Sequence, residues 1–313
     1  MSRPSLIEAL RERVLLGDGA MGTEIQRAGL ESGGCGEAWN LDHPERVLEI
    51  QRRYVEAGSD VLLSHTFGAC RIMLNRHGEG ERTADINRAA VRIAREALGE
   101  KGYVLGDIGP FGGLMEPYGD IAPAEVERAF REQARALVEA GADGIIIETQ
   151  TAFEELELAI AAAKEAGAAA VIGSIAFDKM VEEDDVRTMM GVSPEQAAEF
   201  MVEHGCDVAA LNCGTFIDMA MAARIVARYR AACGLPVMVQ PNAGQPVLEN
   251  MQVLYKETPE EMASGLPALL ASGPRIVGGC CGSTPDHIRV FRRMLDDSAG
   301  GYQAGQTTGG ERR

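Results

Sequence analysis

Two periods of apolar residues alternate along this chain. From Val14 onward, short runs of valine, isoleucine and leucine are separated by longer stretches in which apolar residues recur at every third and fourth position. That alternation is the signature of repeated βα units on a parallel sheet. The runs predict strands at VLL (14–16), DVLLS (60–64), YVLGD (103–107), GIIIE (144–148), AVIGSIA (170–176), VAALN (208–212), PVMVQ (236–240) and RIVGG (275–279). The longer stretches predict helices over 44–57, 83–98, 123–140, 153–166, 194–204, 216–232, 258–271 and 284–295.

Punctuation residues support these helices. Asp42 with Pro44, Ser193 with Pro194, Thr258 with Pro259 and Thr284 with Pro285 mark four starts, because a short polar side chain can cap the first turn and proline suits its first position. Four ends share one pattern: in VEAGSDVLL, VEAGADGIII, KEAGAAAVIG and VEHGCDVAAL a glycine precedes the next strand by two or three residues. A left-handed helix cap followed by a short turn gives that spacing. Eight such units in 313 residues match an α/β fold closed as a (β/α)8 TIM barrel, with an open doubly wound sheet as the alternative. Residues 1–297 are expected to form this single domain. The tail 298–313, SAGGYQAGQTTGGERR, is too rich in glycine and too poor in large apolar residues to offset its ordering entropy and is expected to be disordered.

Charge and composition narrow the function. A net charge of −17 and a pI near 4.8 disfavour nucleic acid and anionic membrane surfaces as partners. No apolar run approaches the roughly 20 residues of a membrane helix, and the N-terminus lacks the uninterrupted apolar core of a secretion signal, so a cytoplasmic location is expected. Of the seven cysteines, Cys35, Cys70, Cys206 and Cys233 read as small buried apolar residues.

The other three stand where barrel chemistry stands, at the C-terminal ends of strands. Cys213 follows the sixth predicted strand, and Cys280 with Cys281 follow the eighth. A disulfide between neighbours is strained. Three thiolates on one rim select zinc over magnesium or calcium and leave one coordination position open for a substrate sulfur, deprotonated by the metal. Spacing alone leaves two alternatives, a redox pair and a packed turn.

GDGAMGTEIQRAG, YVEAGSDVLLSHTFGA, GADGIIIETQT, LNCG, PNAGQP and GGCCGSTPDHI together resemble, in order and over residues 10–295, the zinc-dependent homocysteine S-methyltransferase family. DGAMGT and PNAG are the forms found in the homocysteine-binding module of cobalamin-dependent methionine synthases. The resemblance implies a Zn2+ site on Cys213, Cys280 and Cys281, with Asn242 as a fourth ligand that leaves when substrate arrives. It implies that Asp18, Gly19, Ala20 and Met21 receive the amino-acid end of homocysteine and that Glu148 holds its ammonium group. Homocysteine would be methylated to methionine by attack of its zinc-activated thiolate. The chain lacks a cobalamin-binding D-x-H-x-x-G pattern, so it is expected to be either a standalone enzyme whose donor, a methylcorrinoid or methylfolate, comes from a separate molecule or corrinoid protein, or an excised module. The loop IGPFGGLMEPYGD (108–120) is expected on the donor side. A related thiol or selenol acceptor, and a homocysteine-binding module without turnover, are the competing functions. His65 carries no role from the resemblance and is expected to be a buried, satisfied histidine.

Overall fold

Each predicted strand is present in the computed structural model, which describes residues 3–180, 185–249 and 252–306. The strands are β1 (Leu15–Leu16), β2 (Val61–Leu63), β3 (Tyr103–Ile108), β4 (Gly144–Gln150), β5 (Val171–Ile175), β6 (Val208–Asn212), β7 (Val237–Gln240) and β8 (Ile276–Val277). All seven ladders are parallel, and β1 pairs with β8 through Leu15↔Ile276 and Leu16↔Val277. The remaining seam, between β1 and β2, is bridged by carboxylates. Leu16 N–H donates to Asp60 Oδ2 (2.9 Å) and Leu63 N–H to Asp18 Oδ2 (2.9 Å), while Asp60 N–H donates to Leu16 O (2.6 Å). The result is a (β/α)8 barrel.

Strand residues alternate between two cores, as a pleated strand buried on both faces requires. Ile146 and Ile172 join Leu15, Val61, Leu105 and Met238 inside the barrel, whereas Ile145 and Ile147 pack outward against the helices. Leu6, Ala9 and Leu10, from the helix Leu6–Glu12, join the inner cluster and plug the end where the strands begin.

The surrounding helices are Pro44–Ala57, Thr83–Leu98, Pro123–Glu139, Phe153–Glu165, Pro194–Glu203, Met219–Ala232 and Pro285–Gln306, with Pro259–Ser264 and Leu266–Ala271 where a single helix was expected. The break falls at Gly265 and ahead of Pro267, which has no N–H to donate; a Cβ at Gly265 would lie 2.4 Å from Met219 Cβ. Ser193 and Thr258 form capping boxes. Asp42 does not cap the helix that starts at Pro44: His43 occupies that position without a side-chain cap, and Asp42 closes the short helix Trp39–Asp42 and pairs with Arg82. Gly58, Gly141, Gly167 and Gly205, which end the four repeated motifs, all have positive φ, between 68° and 107°.

Three of those motifs continue with an aspartate that stitches neighbouring strands. Asp60, Asp143 and Asp207 each accept from a backbone N–H of the preceding strand, at Leu16, Val104 and Val171, over 2.8–2.9 Å. The sequence pattern did not announce the short helices Met21–Arg27 and Arg71–Asn75, nor two hairpins, Asp178–Lys179 with Val186–Arg187 and Pro246–Glu249 with Gln252–Tyr255. Both hairpins are insertions after strand ends. The last helix is assigned to Gln306; residues 307–313, the end of the tail expected to be disordered, lie outside the described residues. Among the described residues no helix is long and apolar enough to cross a membrane.

Candidate metal and substrate site

Two strand ends bring the sulfurs together. β6 closes with Asn212, and Cys213 then adopts φ 58° and Gly214 φ 89°, turning the chain where a Cβ on residue 214 would lie 1.9 Å from Phe177 O. Beyond β8, added Cβ atoms at Gly278 and Gly279 would come within 2.8 Å of Asp18 O and 2.4 Å of Ser283 Oγ, so the glycines let the two loops touch. Cys213, Cys280 and Cys281 are half-buried and their sulfurs all lie within 4.8 Å of one another, with Cys213 Sγ 4.0 Å from Cys281 Sγ. Tetrahedral zinc with bonds of about 2.3 Å spaces its sulfurs by about 3.8 Å, so the donor set fits zinc. Without a cation, the three thiols share their protons unevenly. Hydrogen bonds from Cys280 and Cys281 pull Cys213 down to about 3, and the hydrogen bond to Cys213 pushes Cys281 up to about 11. A divalent cation removes that conflict by favouring the thiolate at every position.

Asn242 stands beside the cluster, buried. Its Nδ2 donates to Gly214 O (3.1 Å) and points to Cys213 Sγ (3.7 Å), while its Oδ1 is buried without a hydrogen-bond partner. An orphaned amide oxygen next to three sulfurs is an available metal ligand.

Behind the sulfurs lie three buried acids. Asp18 follows β1 and is 1% exposed, with Oδ1 unpartnered; burial, with the charge of Glu148 adding to it, pushes its carboxyl up to about 8. Glu148, in β4, is pushed up to about 7 by burial and then by the nearby Cys213 sulfur. The third, Asp107 of β3, was missed by sequence reasoning. It is 4% exposed, Oδ1 has no partner, and burial followed by the charges of Glu148 and Asp18 holds it well above the usual carboxylate range. Among the described residues none of the three is paired with a lysine or arginine. Such a group of buried acids favours a cationic ligand. The signal for Asp107 was available: it too is an acid near a strand's end.

Asn212 connects acids to sulfurs. Its Oδ1 accepts from Ser174 Oγ (2.6 Å) and Thr149 N–H (2.9 Å), which leaves Nδ2 facing Glu148 Oε2 (3.1 Å), Thr149 Oγ1 (2.8 Å) and Cys280 Sγ (3.8 Å). Thr149 reaches this arrangement with φ 59°. Non-glycine residues in that region are strained.

The loop after β1 is held from two sides. Ala20 N–H donates to Ser283 Oγ (3.2 Å), and Tyr54 O–H donates to Ala20 O (2.9 Å). A Cβ at Gly19 would lie 2.7 Å from Ser283 Oγ and 2.9 Å from Tyr54 Cε1. Met21 is the first residue of the helix Met21–Arg27, so the expected four-residue loop ends one residue early. His65 is buried as expected, but it is not satisfied, because Nε2 has no hydrogen-bond partner; burial pushes its pKa down. Cys70 and Cys206 are buried, whereas Cys35 and Cys233 are half-buried.

Comparison with known proteins gives a consistent result. The sequence profile of the family described as homocysteine S-methyltransferase matches residues 15–295. The methionine synthases of Mycobacterium leprae (strain TN) and Mycobacterium tuberculosis (strain ATCC 25618 / H37Rv) are each 34% identical over 300 residues, 91% of this chain. The matched part is 24% and 25% of their length, so the chain spans about a quarter of these relatives. Among solved structures, the metallated form of the homocysteine methyltransferase MmuM from Escherichia coli superposes with a TM-score of 0.74 over 91% of this chain and 97% of that one, at 22% identity. This last likeness is one of fold.

Proposed function

We propose, for a chain that belongs to the homocysteine S-methyltransferase family, that it is a zinc-dependent enzyme that methylates homocysteine to methionine with a methyl group from a separate donor. The observation that carries this reading is the placement of a three-sulfur cluster beside three buried acids, joined through Asn212. Homocysteine carries a thiol at one end and an ammonium group at the other, and the two halves of the site match them.

In this reading Cys213, Cys280 and Cys281 would hold zinc, with Asn242 Oδ1 as a fourth ligand that would give way to the substrate sulfur. Bound zinc supplies a Lewis acid that favours the ionised form of a thiol at neutral pH, where a free thiol of pKa about 8.5 is mostly protonated. Glu148 and Asp18, with Asp107 behind them, hold the ammonium, and the loop Asp18, Gly19, Ala20 and Met21 positions the amino-acid end. The thiol proton leaves to solvent, the sulfur lone pair forms the S–CH3 bond, and the donor departs with the electron pair of its broken bond to methyl.

A corrinoid protein as donor is supported by the surface around the barrel mouth. Every large apolar side chain that is exposed among the described residues, except Val202, lies on a loop or hairpin that follows a barrel strand, including Leu114, Tyr118, Met189, Met190, Phe216 and Leu248. Clusters of this kind mark interaction sites. Residues 1–297 act in this reading as one catalytic domain with 298–313 appended, and the thiolate site suits the reducing cytoplasm.

The test is turnover with L-homocysteine and a panel of methylcorrinoid, methylfolate and sulfonium donors, with methionine detected by mass spectrometry. The wild-type protein is expected to form methionine from one of them, and Cys281→Ala to lose both zinc and product. A Cys281→Ala protein that keeps both would refute the assignment.

A further inference from the structure

β4 is irregular where it delivers its acid. Ile147 pairs with Gly173 and Gln150 with Ile175, so Glu148 and Thr149 together stand opposite Ser174 alone. A bulge of this kind re-aims the side chains of the longer strand. It also releases Thr149 N–H from the β5 ladder, and that N–H donates instead to Asn212 Oδ1 of β6 at 2.9 Å. Ser174, fully buried on the β5 strand between them, donates its hydroxyl to the same oxygen at 2.6 Å. Thr149 holds this position with φ 59°, a costly conformation for a β-branched residue.

These two bonds decide which way the Asn212 amide faces. A backbone N–H can only donate, so Oδ1 must lie against Thr149 and Nδ2 on the opposite side. The Nδ2 hydrogens then serve Glu148 Oε2 (3.1 Å), Thr149 Oγ1 (2.8 Å) and Cys280 Sγ (3.8 Å). One rigid amide plane thus runs from the acid that would hold the acceptor's ammonium to a sulfur that would hold its metal. We propose that Asn212, locked by Ser174 and the bulge at Thr149, fixes the spacing between the ammonium and sulfur halves of the site and so selects the acceptor by chain length, favouring homocysteine over aminothiols one methylene shorter or longer. The inference rests on the zinc reading above and adds to it Ser174, a positioning residue outside every motif that carries the site.

The test is calorimetric titration of the zinc-loaded whole chain with L-homocysteine, with L-cysteine and with the homologue longer by one methylene, zinc content being determined on each sample. The wild-type protein is expected to prefer homocysteine over either neighbour by roughly 10-fold or more, the usual worth of one methylene in a fitted site. Ser174→Ala, in which the amide loses one of its two anchors, is expected to keep its zinc and to reduce that preference roughly 10-fold by weakening homocysteine alone. Asp207→Ala, which loosens the same pair of strands at the far end of the barrel, is expected to leave the preference unchanged. If the wild-type protein shows the preference and Ser174→Ala retains it in full, the lock is overturned while the zinc reading stands. An equal loss in Asp207→Ala would overturn it as well, since general loosening of β5 and β6 would be responsible. So would a wild-type protein that binds all three thiols equally. A wild-type protein that binds none of them overturns both.

Discussion

Gly282 is a single position at which sequence, backbone and site meet. Its φ of 79° belongs to the left-handed region, and its missing side chain makes room for Tyr255. Gly282→Ala is therefore expected to cost at least about 1–3 kcal/mol of stability by strain and overpacking and to weaken metal retention, read by denaturant unfolding and a chelator competition. The acids give a pH effect. Asp18 and Glu148, raised to about 8 and about 7, hold protons at pH values where ordinary carboxyls have lost them. An ammonium beside them lowers those values, so ligand binding releases protons below about pH 7 and tightens as pH rises towards 8. At about pH 6, Glu148→Gln should release roughly one proton fewer per homocysteine than wild type, measured by calorimetry in buffers of different ionisation enthalpy; equal release would count against the ammonium assignment. The cysteines were singled out because each follows a strand's end, whereas Asp18 and Glu148 were singled out through the family motifs that contain them. Asp107 shows the same signal and was passed over for want of a motif. Asn212 was not legible, because its role depends on which neighbours the barrel brings to it.

At the scale of elements, alternation of apolar runs with helical stretches sufficed to place all eight strands and the barrel they form. The glycine after each repeated helix was legible as a cap. The aspartate two residues later was not, although it ties one strand to the previous one. Two of these aspartates differ in a way that can be measured: Asp207 accepts from Val171 N–H, whereas Asp143 accepts from Val104 N–H and also pairs with Arg3 and Arg95. Asp207→Ala is expected to lose about 1 kcal/mol and Asp143→Ala about 2–3 kcal/mol, compared by chemical denaturation under one buffer condition. The two hairpins escaped sequence analysis because a short insertion at a strand end lacks both the length and the periodicity that identify barrel elements.

For the whole molecule, the contrast between the two ends of the barrel is the main result. The start of the strands is sealed by the apolar face of Leu6–Glu12 and by carboxylate–arginine pairs at Asp60 and Asp143. The opposite end carries the sulfurs, the acids and the exposed apolar loops. A methyl-bearing corrinoid protein seated on those loops should be sensitive to charge placed there. Leu248→Asp combined with Tyr118→Asp is expected to slow transfer from such a protein roughly 10-fold or more while leaving homocysteine affinity unchanged. The proposed reaction depends on coupling between the sulfur cluster and the acceptor. Zinc-edge X-ray absorption on the purified protein, with and without L-homocysteine, tests it most directly. About one zinc per chain is expected, held by the three cysteine sulfurs and one lighter atom, with a fourth sulfur replacing that atom on addition of homocysteine. A protein without zinc, or a zinc shell indifferent to homocysteine, would contradict it.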